Sequence, residues 1–438
     1  MRQGLKRAVG VCAVAGTLTG CLSEATGSAG DFVARLTSPD TMALPRASHA
    51  DTVNADSAII QGLVSRRSAL PAGSSFARVA DAVLAANART AEADLRAARL
   101  RSEAASKNWL PRIGPQVSLT SLGSLVANLV VDQVLFDNGR LKGEREFAIA
   151  DVEVAAVRLA QDTNDRVQTG LQLYVRAVEA QEKAALADAA LRDMGHFDYV
   201  MNERVRGGVS DLSDLTVLRQ KLAEIRADRA AQAERAATAL AELNAMSAEP
   251  LSGLSGVPAF ALSSDAAAPL EVVLAEAEKT RAIAAAKIDR AGQLPGLSAG
   301  GTVGENGDVG LRVSSDTLLG LGTGASLRAI EATREAAERR VAQASEDSAR
   351  ALRKLENQIA AKERQAAETR GLTAQAKANL DLFQAQYEAG QRQIMDVVGV
   401  YETFARQQQT EATLKYEAVQ LRIEMARLLG VLADGAEI

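Results

Sequence analysis

The sequence predicts a mainly α-helical protein with a small β part, built from a helix–β-hairpin–helix unit that occurs twice. Three observations carry this expectation: where the prolines fall, where the hydrophobic period changes, and which landmarks recur at a fixed distance. Proline in a helix interior costs about 3 kcal/mol. Pro111, Pro115, Pro250, Pro258, Pro269 and Pro295 mark junctions, whereas 116–249 and everything after 295 are free of proline. Those two tracts can therefore form long helices. Aromatic residues are 3% of the chain and hydrophobic residues 47%, which suits long alanine-rich helices better than an aromatic enzyme core and excludes a disordered chain. A formal net charge of −5 provides no basic surface for nucleic acid.

In chain order, Arg2, Lys6 and Arg7 precede an apolar run, Ala8 to Leu18, that is too short to span a bilayer as a helix. The run ends in Leu18-Thr19-Gly20-Cys21, which resembles the bacterial lipobox. That resemblance implies that residues 1–20 are a signal peptide and that Cys21 becomes the lipid-bearing first residue. Residue 22 is Leu rather than Asp. By resemblance to lipoprotein sorting signals, this implies outer-membrane anchoring. The only other cysteine is Cys12, within the segment to be removed, so no disulfide is expected in the mature chain. Residues 21–75, polar and carrying Pro39, Pro45 and Pro71, read as an extended leader with one short helix.

Helical periodicity sets in beyond the leader. Ile149, Val152, Ala156 and Leu159 step by three or four, as do Val167, Leu171, Tyr174 and Val178, and again Leu414, Ala418, Leu421, Met425 and Leu428. These seams suit helices lying side by side. The spacing predicts long helices over 138–200 and 325–387, each roughly 95 Å at 1.5 Å per residue, and shorter ones over 76–108 and 212–246, each roughly 50 Å. Two stretches switch to period two. Ile113, Val117 and Leu119 alternate with Gly114, Gln116 and Ser118, and Val309, Leu311 and Val313 alternate with Gly310, Arg312 and Ser314 after Asn306-Gly307. Alternation with an Asn-Gly turn predicts β-hairpins, at about 111–136 and 295–318. With roughly 8–11 residues per strand, these sit at the lower limit of what a membrane strand needs, about 9–11 residues.

The halves are duplicates. Leu110-Pro111 recurs as Leu294-Pro295 (offset 184), Gly139 as Gly322 (offset 183), and Gly208 and Asp214 as Gly390 and Asp396 (offset 182). Register held this closely marks an internal repeat. The first repeat spans 76–246 with a tight turn at about 204–214. A linker, 247–266, precedes the second repeat, 267–430, with its turn at about 387–396, and 431–438 forms a C-terminal tail.

This layout resembles the TolC family of outer-membrane efflux and secretion channels over about residues 76–430. The resemblance rests on the Leu-Pro before each hairpin, on Val134-Leu135-Phe136-Asp137-Asn138-Gly139-Arg140 after the first, and on the tip segment from Tyr387 to Val397. It implies a homotrimer: an α-helical barrel capped by a short 12-stranded β-barrel, docked to a periplasmic adaptor and an inner-membrane transporter of the RND or ABC type. It further implies that Tyr387 and Arg392 close the periplasmic gate, with Ser213 and Asp214 as partners. Asp396 would then form an acidic ring, and the turns at Gly207, Gly208, Ala389 and Gly390 would receive the adaptor. A second, inner acidic ring falls on Gly399 here and is expected to be missing or moved. The physics agrees with a trimer, because four strands leave open edges that a barrel in lipid must close. Thr302, Arg312 and Ser314 are then expected to face the lumen.

Catalytic signals are absent from the sequence. The two histidines, His49 and His196, stand apart from cysteine or carboxylate at ligand spacing, so neither a metal site nor a cofactor is expected beyond the lipid on Cys21. Gly320-Leu321-Gly322-Thr323-Gly324 lacks the Gly-Lys-Ser/Thr ending of a phosphate loop and reads as a strand-to-helix bend. The rival to an export channel, for drug efflux or type I secretion, is a non-conducting coiled-coil envelope lipoprotein.

Overall fold

In the computed structural model of the chain, the described residues are 57–86, 90–121, 124–251, 253–303, 308–314 and 322–437. Cys21, most of the 21–75 leader, the Asn306-Gly307 turn and Gly320-Leu321 lie outside them. The elements run α1 (Ala58–Val64), α2 (Ser75–Ala85), α3 (Thr90–Ser106), β1 (Arg112–Ser121), β2 (Ser124–Phe136), α4 (Arg140–Arg206), α5 (Leu212–Ala245), α6 (Leu270–Gly292), β3 (Gly296–Val303), β4 (Asp308–Ser314), α7 (Thr323–Glu388), α8 (Ile394–Leu428) and a final 3-10 turn, Gly435–Glu437. The protein is mainly α-helical with one small antiparallel sheet, ordered β1-β2-β3-β4.

The proline-free tracts hold the longest helices. α4 has 67 residues and α7 has 66, each about 100 Å at 1.5 Å per residue. Side by side, α3, α4, α6 and α7 lie in the same order as the strands they feed, and beyond them α5, α4, α8 and α7 form the second half of the layer. Thus α4 is the inner member throughout. One flank of the layer is α7 alone, and the other is α3 followed by α5. The seam over α4 is as the sequence spaces it: Val152, Leu159, Val167, Leu171 and Tyr174 are buried. Ile149 departs from it and is 39% exposed, at the outer margin of the stripe.

Three apolar clusters hold the layer. One joins α1, α3, α4 and α6 through Leu63, Leu95, Val157 and Leu270. One lies at the turn end, around Met194, Met201, Leu218 and Val397. The largest lies between them, where Phe76 packs edge-on against both Tyr174 and Phe260.

At this middle level α2, α5 and α8 end, and each of these ends is held by an arginine. The α5 end is held from inside α4: Arg166 donates through Nη2 to Met246 O (3.1 Å) and Ala86 O (2.8 Å), and through Nε to Val83 O (2.9 Å). One guanidinium therefore collects carbonyls from the ends of both α2 and α5, where the helix dipole favours a cation. The repeat-equivalent of Met246 is Leu429 (offset 183), and its carbonyl accepts from Arg66 Nη1 at 2.5 Å. The duplicated helix end thus keeps its arginine, supplied from a different part of the chain. Arg166→Met is expected to destabilise the fold by about 3 kcal/mol, since charge-assisted hydrogen bonds contribute about 1.5–3 kcal/mol and three carbonyls lose their donor. A lowered thermal midpoint of helix loss by circular dichroism checks it; an unchanged midpoint would mean that water replaces the guanidinium.

Residues 431–433, within the segment read as a tail, are buried in the central cluster. They run beside residues 66–69: Ala69 N donates to Val431 O (2.8 Å), Ser68 N to Asp434 Oδ1 (3.0 Å) and Gly435 N to Arg66 O (2.9 Å). Buried Asn164 of α4 accepts from Leu432 N at 2.9 Å and donates to Ala160 O at 2.8 Å.

Candidate functional site

Two features bear on function: the helix turns at one end of the layer and the sheet at the other. The turns repeat atom for atom. After α4, Gly207 N donates to Glu203 O, Gly208 N to Val205 O and Val209 N to Arg204 O. After α7, Ala389 N donates to Ala385 O, Gly390 N to Tyr387 O and Gln391 N to Gln386 O. Every partner differs by the offset of 182. Both turns need a left-handed residue, and both place glycine there: Gly208 and Gly390, each at φ 73°. Asp211 then caps α5 by accepting from Ser213 N at 3.1 Å, whereas Gln393 at the start of α8 makes no side-chain cap. Gly207, Gly208, Ala389 and Gly390 are all exposed.

The gate residues divide. Half-buried Tyr387 meets Arg204 of α4, whose Nη1 lies 3.4 Å from the phenol oxygen and whose guanidinium carbon lies 5.8 Å from the ring centre. Arg392 donates to Gln386 Oε1 at 2.9 Å and stacks 4.2 Å above the Phe383 ring. Among the described hydrogen bonds, neither reaches Ser213 or Asp214 in the same chain. Ser213 and Asp214 lie in the first turn of α5, and Asp396 in the first turn of α8, where negative charge suits the helix N-terminus. Gly399 is on an exposed position of α8. Sequence reasoning missed Arg204, although it stands at the repeat position of Gln386.

Behind the turns, α4 and α8 are tied by phenols. Tyr401 donates to Asp193 Oδ2 at 2.8 Å, and burial with that carboxylate pushes the phenol well above its usual range. Tyr416 donates to Glu182 and is raised in the same way. Burial opposes ionisation of Glu182, but hydrogen bonds from Lys415 and Tyr416 outweigh it and hold the carboxyl below its ordinary value.

The sheet has two chemically distinct faces, fixed by register. On one, the rows Ile113–Val131–Gly301–Val309, Gln133–Ala299–Leu311 and Phe136–Leu297–Val313 are almost wholly apolar. Their side chains are uncovered in the single chain: Val309 is 86% exposed, Leu311 72% and Val313 70%. On the other, Arg112–Asp132–Gly300–Gly310 and Val134–Ser298–Arg312 are mostly polar or bare. Thr302 and Arg312 belong to this second face, and Ser314 holds a register position in its rows. The outer edges of β1 and β4 have no strand beside them among the described residues.

Solved structures share this fold. A membrane protein from Pseudomonas aeruginosa superposes with TM-score 0.72 over 85% of this chain and 93% of its own, at 15% identity. The outer membrane protein VceC of Vibrio cholerae gives 0.70 over 81% and 96%, at 14% identity. The chain has the fold of the TolC-like outer-membrane channels. The MtrE outer membrane channel of Neisseria gonorrhoeae, in its open state, is a further TolC-like structure, with TM-score 0.70 over 82% of this chain and 90% of its own, at 16% identity. No protein-family model and no curated protein matches the sequence. The likeness to the TolC-like channels is thus one of fold. Among the described residues no helix is long and apolar enough to cross a membrane. His196 is exposed on α4 beside Phe197, and no group of three metal-ligating side chains occurs among the described residues.

Proposed function

We propose that this protein is the outer-membrane subunit of a tripartite export system: a passive conduit, lipid-anchored through Cys21, that assembles as a homotrimer. The supporting observation is that sheet and helical layer are open along the same two flanks. β1 and the α3/α5 flank form one side, and β4 and α7 the other. Each flank carries uncovered apolar side chains, Leu100 on α3 and Leu372 and Leu382 on α7. A head-to-tail contact that closes into a ring satisfies both flanks at once. Three copies then make a closed 12-stranded barrel with its apolar face to lipid and a helical tunnel beneath it. In this reading the turns at Gly207, Gly208, Ala389 and Gly390 receive a periplasmic adaptor, and an RND or ABC transporter of the inner membrane supplies the energy. Drugs and secreted polypeptides are the two classes of cargo such systems carry.

A second reading, a non-conducting coiled-coil envelope lipoprotein, draws support from the short second hairpin, whose strands have 8 and 7 residues against the about 9–11 of a membrane strand. The test is purification of the full chain from membranes, cross-linking to count subunits, and reconstitution into planar bilayers. A trimer that inserts ohmic pores is expected; a monomer that inserts none would leave the scaffold.

A further inference from the structure

The polar face of the sheet carries a net positive charge at one end that no described residue neutralises. Arg112 opens β1 and Arg312 lies two residues before the end of β4, so both sit where the sheet meets the helices. Both are exposed, and among the described residues neither has an ion pair or hydrogen-bond partner. Asp132 is across from Arg112 in register and lines, with Arg312, Ser298 and Arg140, a hollow of about 200 Å³ at the same level. The two other charges that line this hollow, Asp137 and Arg140, are engaged at the start of α4. Asp137 accepts from Gly139 N and Leu141 N at the start of α4, and Arg140 lies 3.7 Å from Glu144. The remaining acid in the polar rows, Asp308, is at the far end of β4, four residues from Arg312. At about 3.3 Å per residue this is roughly 13 Å away, beyond a Debye length at physiological salt. Among the described residues, the polar rows at this junction therefore present two guanidinium groups against one carboxylate. The wall around them is bare, because Gly300 and Gly310 continue the Arg112–Asp132 row.

We propose that Arg112 and Arg312 form a cationic ring at the base of the barrel that favours anionic solutes, such as carboxylates and phosphate or sulfate esters, over cations. This deepens the channel reading and rests on it. Closure of three sheets brings β4 of one copy beside β1 of the next, so the two arginine types gather at each junction between copies around one water-filled ring. Rings of arginine select anions because low-dielectric walls focus their field into the lumen. Every solute passing from tunnel to barrel crosses this level.

The experiment is the reversal potential of the reconstituted full-length protein across a tenfold KCl gradient at low salt, where the Debye length reaches about 30 Å. Relative to the unaltered channel, Arg112→Gln with Arg312→Gln is expected to lower the chloride-to-potassium permeability ratio at least about threefold, and the single substitutions to lower it less. Arg112→Lys with Arg312→Lys keeps the charge and is expected to keep the ratio. An unchanged ratio in intact Gln-variant pores, or an equal loss in the Lys variant, overturns the proposal. Arg312→Cys provides a readout independent of the tips: a negatively charged methanethiosulfonate is expected to react faster than a positively charged one of similar size, and equal rates overturn the proposal as well. If the unaltered protein forms no pores, the channel reading itself fails, a result distinct from pores without selectivity.

Discussion

Gly430→Ala is expected to destabilise the folded chain by about 4 kcal/mol, a large part of the 5–15 kcal/mol that holds a typical protein together. Gly430 follows the end of α8 at φ 62°, where a Cβ is strained by about 1–2 kcal/mol. An added Cβ would also lie 2.6 Å from Leu270 Cδ1 and 2.6 Å from Arg66 Nη1. Leu270 is buried at the start of α6, and overpacking of this kind costs a further 1–3 kcal/mol or so. Pushing Arg66 aside also removes its bonds to Leu429 O and Ala268 O. Gly73 is the internal control. Its φ of 69° imposes the same backbone strain, but no atom lies within 4 Å of an added Cβ. Gly73→Ala should therefore cost only about 1 kcal/mol. Urea midpoints followed by circular dichroism compare the two, and equal midpoints would show that crowding at Gly430 is relieved at no cost.

Arg204→Ala combined with Tyr387→Phe and Arg392→Ala should raise the time-averaged conductance per channel more than about tenfold. Arg204 and Tyr387 join the end of α4 to the end of α7, and Arg392 holds Gln386 and Phe383 beside them. Each contact is partly exposed and contributes no more than about 1 kcal/mol. The proposed trimer multiplies it. About 1 kcal/mol per copy sums to roughly 3 kcal/mol, enough to move a closed-to-open ratio from about 100:1 to near even. Arg204→Ala alone should give an intermediate conductance. Planar-bilayer recordings decide it, and conductance that stays at the unaltered value removes the tip as a gate.

Much of the fold was legible because it follows from local rules. Proline placement bounded α4 and α7, alternation marked both hairpins, and the glycine repeat placed the two turns that share one hydrogen-bond pattern. What escaped depends on contacts distant in sequence. The helix expected over 76–108 is instead α2 and α3, although Ala85 and Ala86 are good helix formers. Arg166, some 80 residues on, takes the carbonyls of Val83 and Ala86 at that break. Val431 and Leu432 look like a tail because nothing local says that Asn164 and Ala69 receive them. At the tips the sequence named Tyr387 and Arg392 with Ser213 and Asp214 as partners, and it gave no sign of Arg204. Arg204 meets Tyr387 only once two helix ends separated by a whole repeat are brought together.

The backbone pairing of 66–69 with 431–435 also has a consequence for biosynthesis. The residues that complete the central cluster and receive Arg66 at the end of α8 leave the ribosome 363 residues after Arg66 itself. Until they emerge, Phe76 and Tyr174 lack part of their cluster, and Asn164 lacks the amide it accepts from. A fold whose keystone follows its partners by most of the helical layer stays open while that stretch is being made.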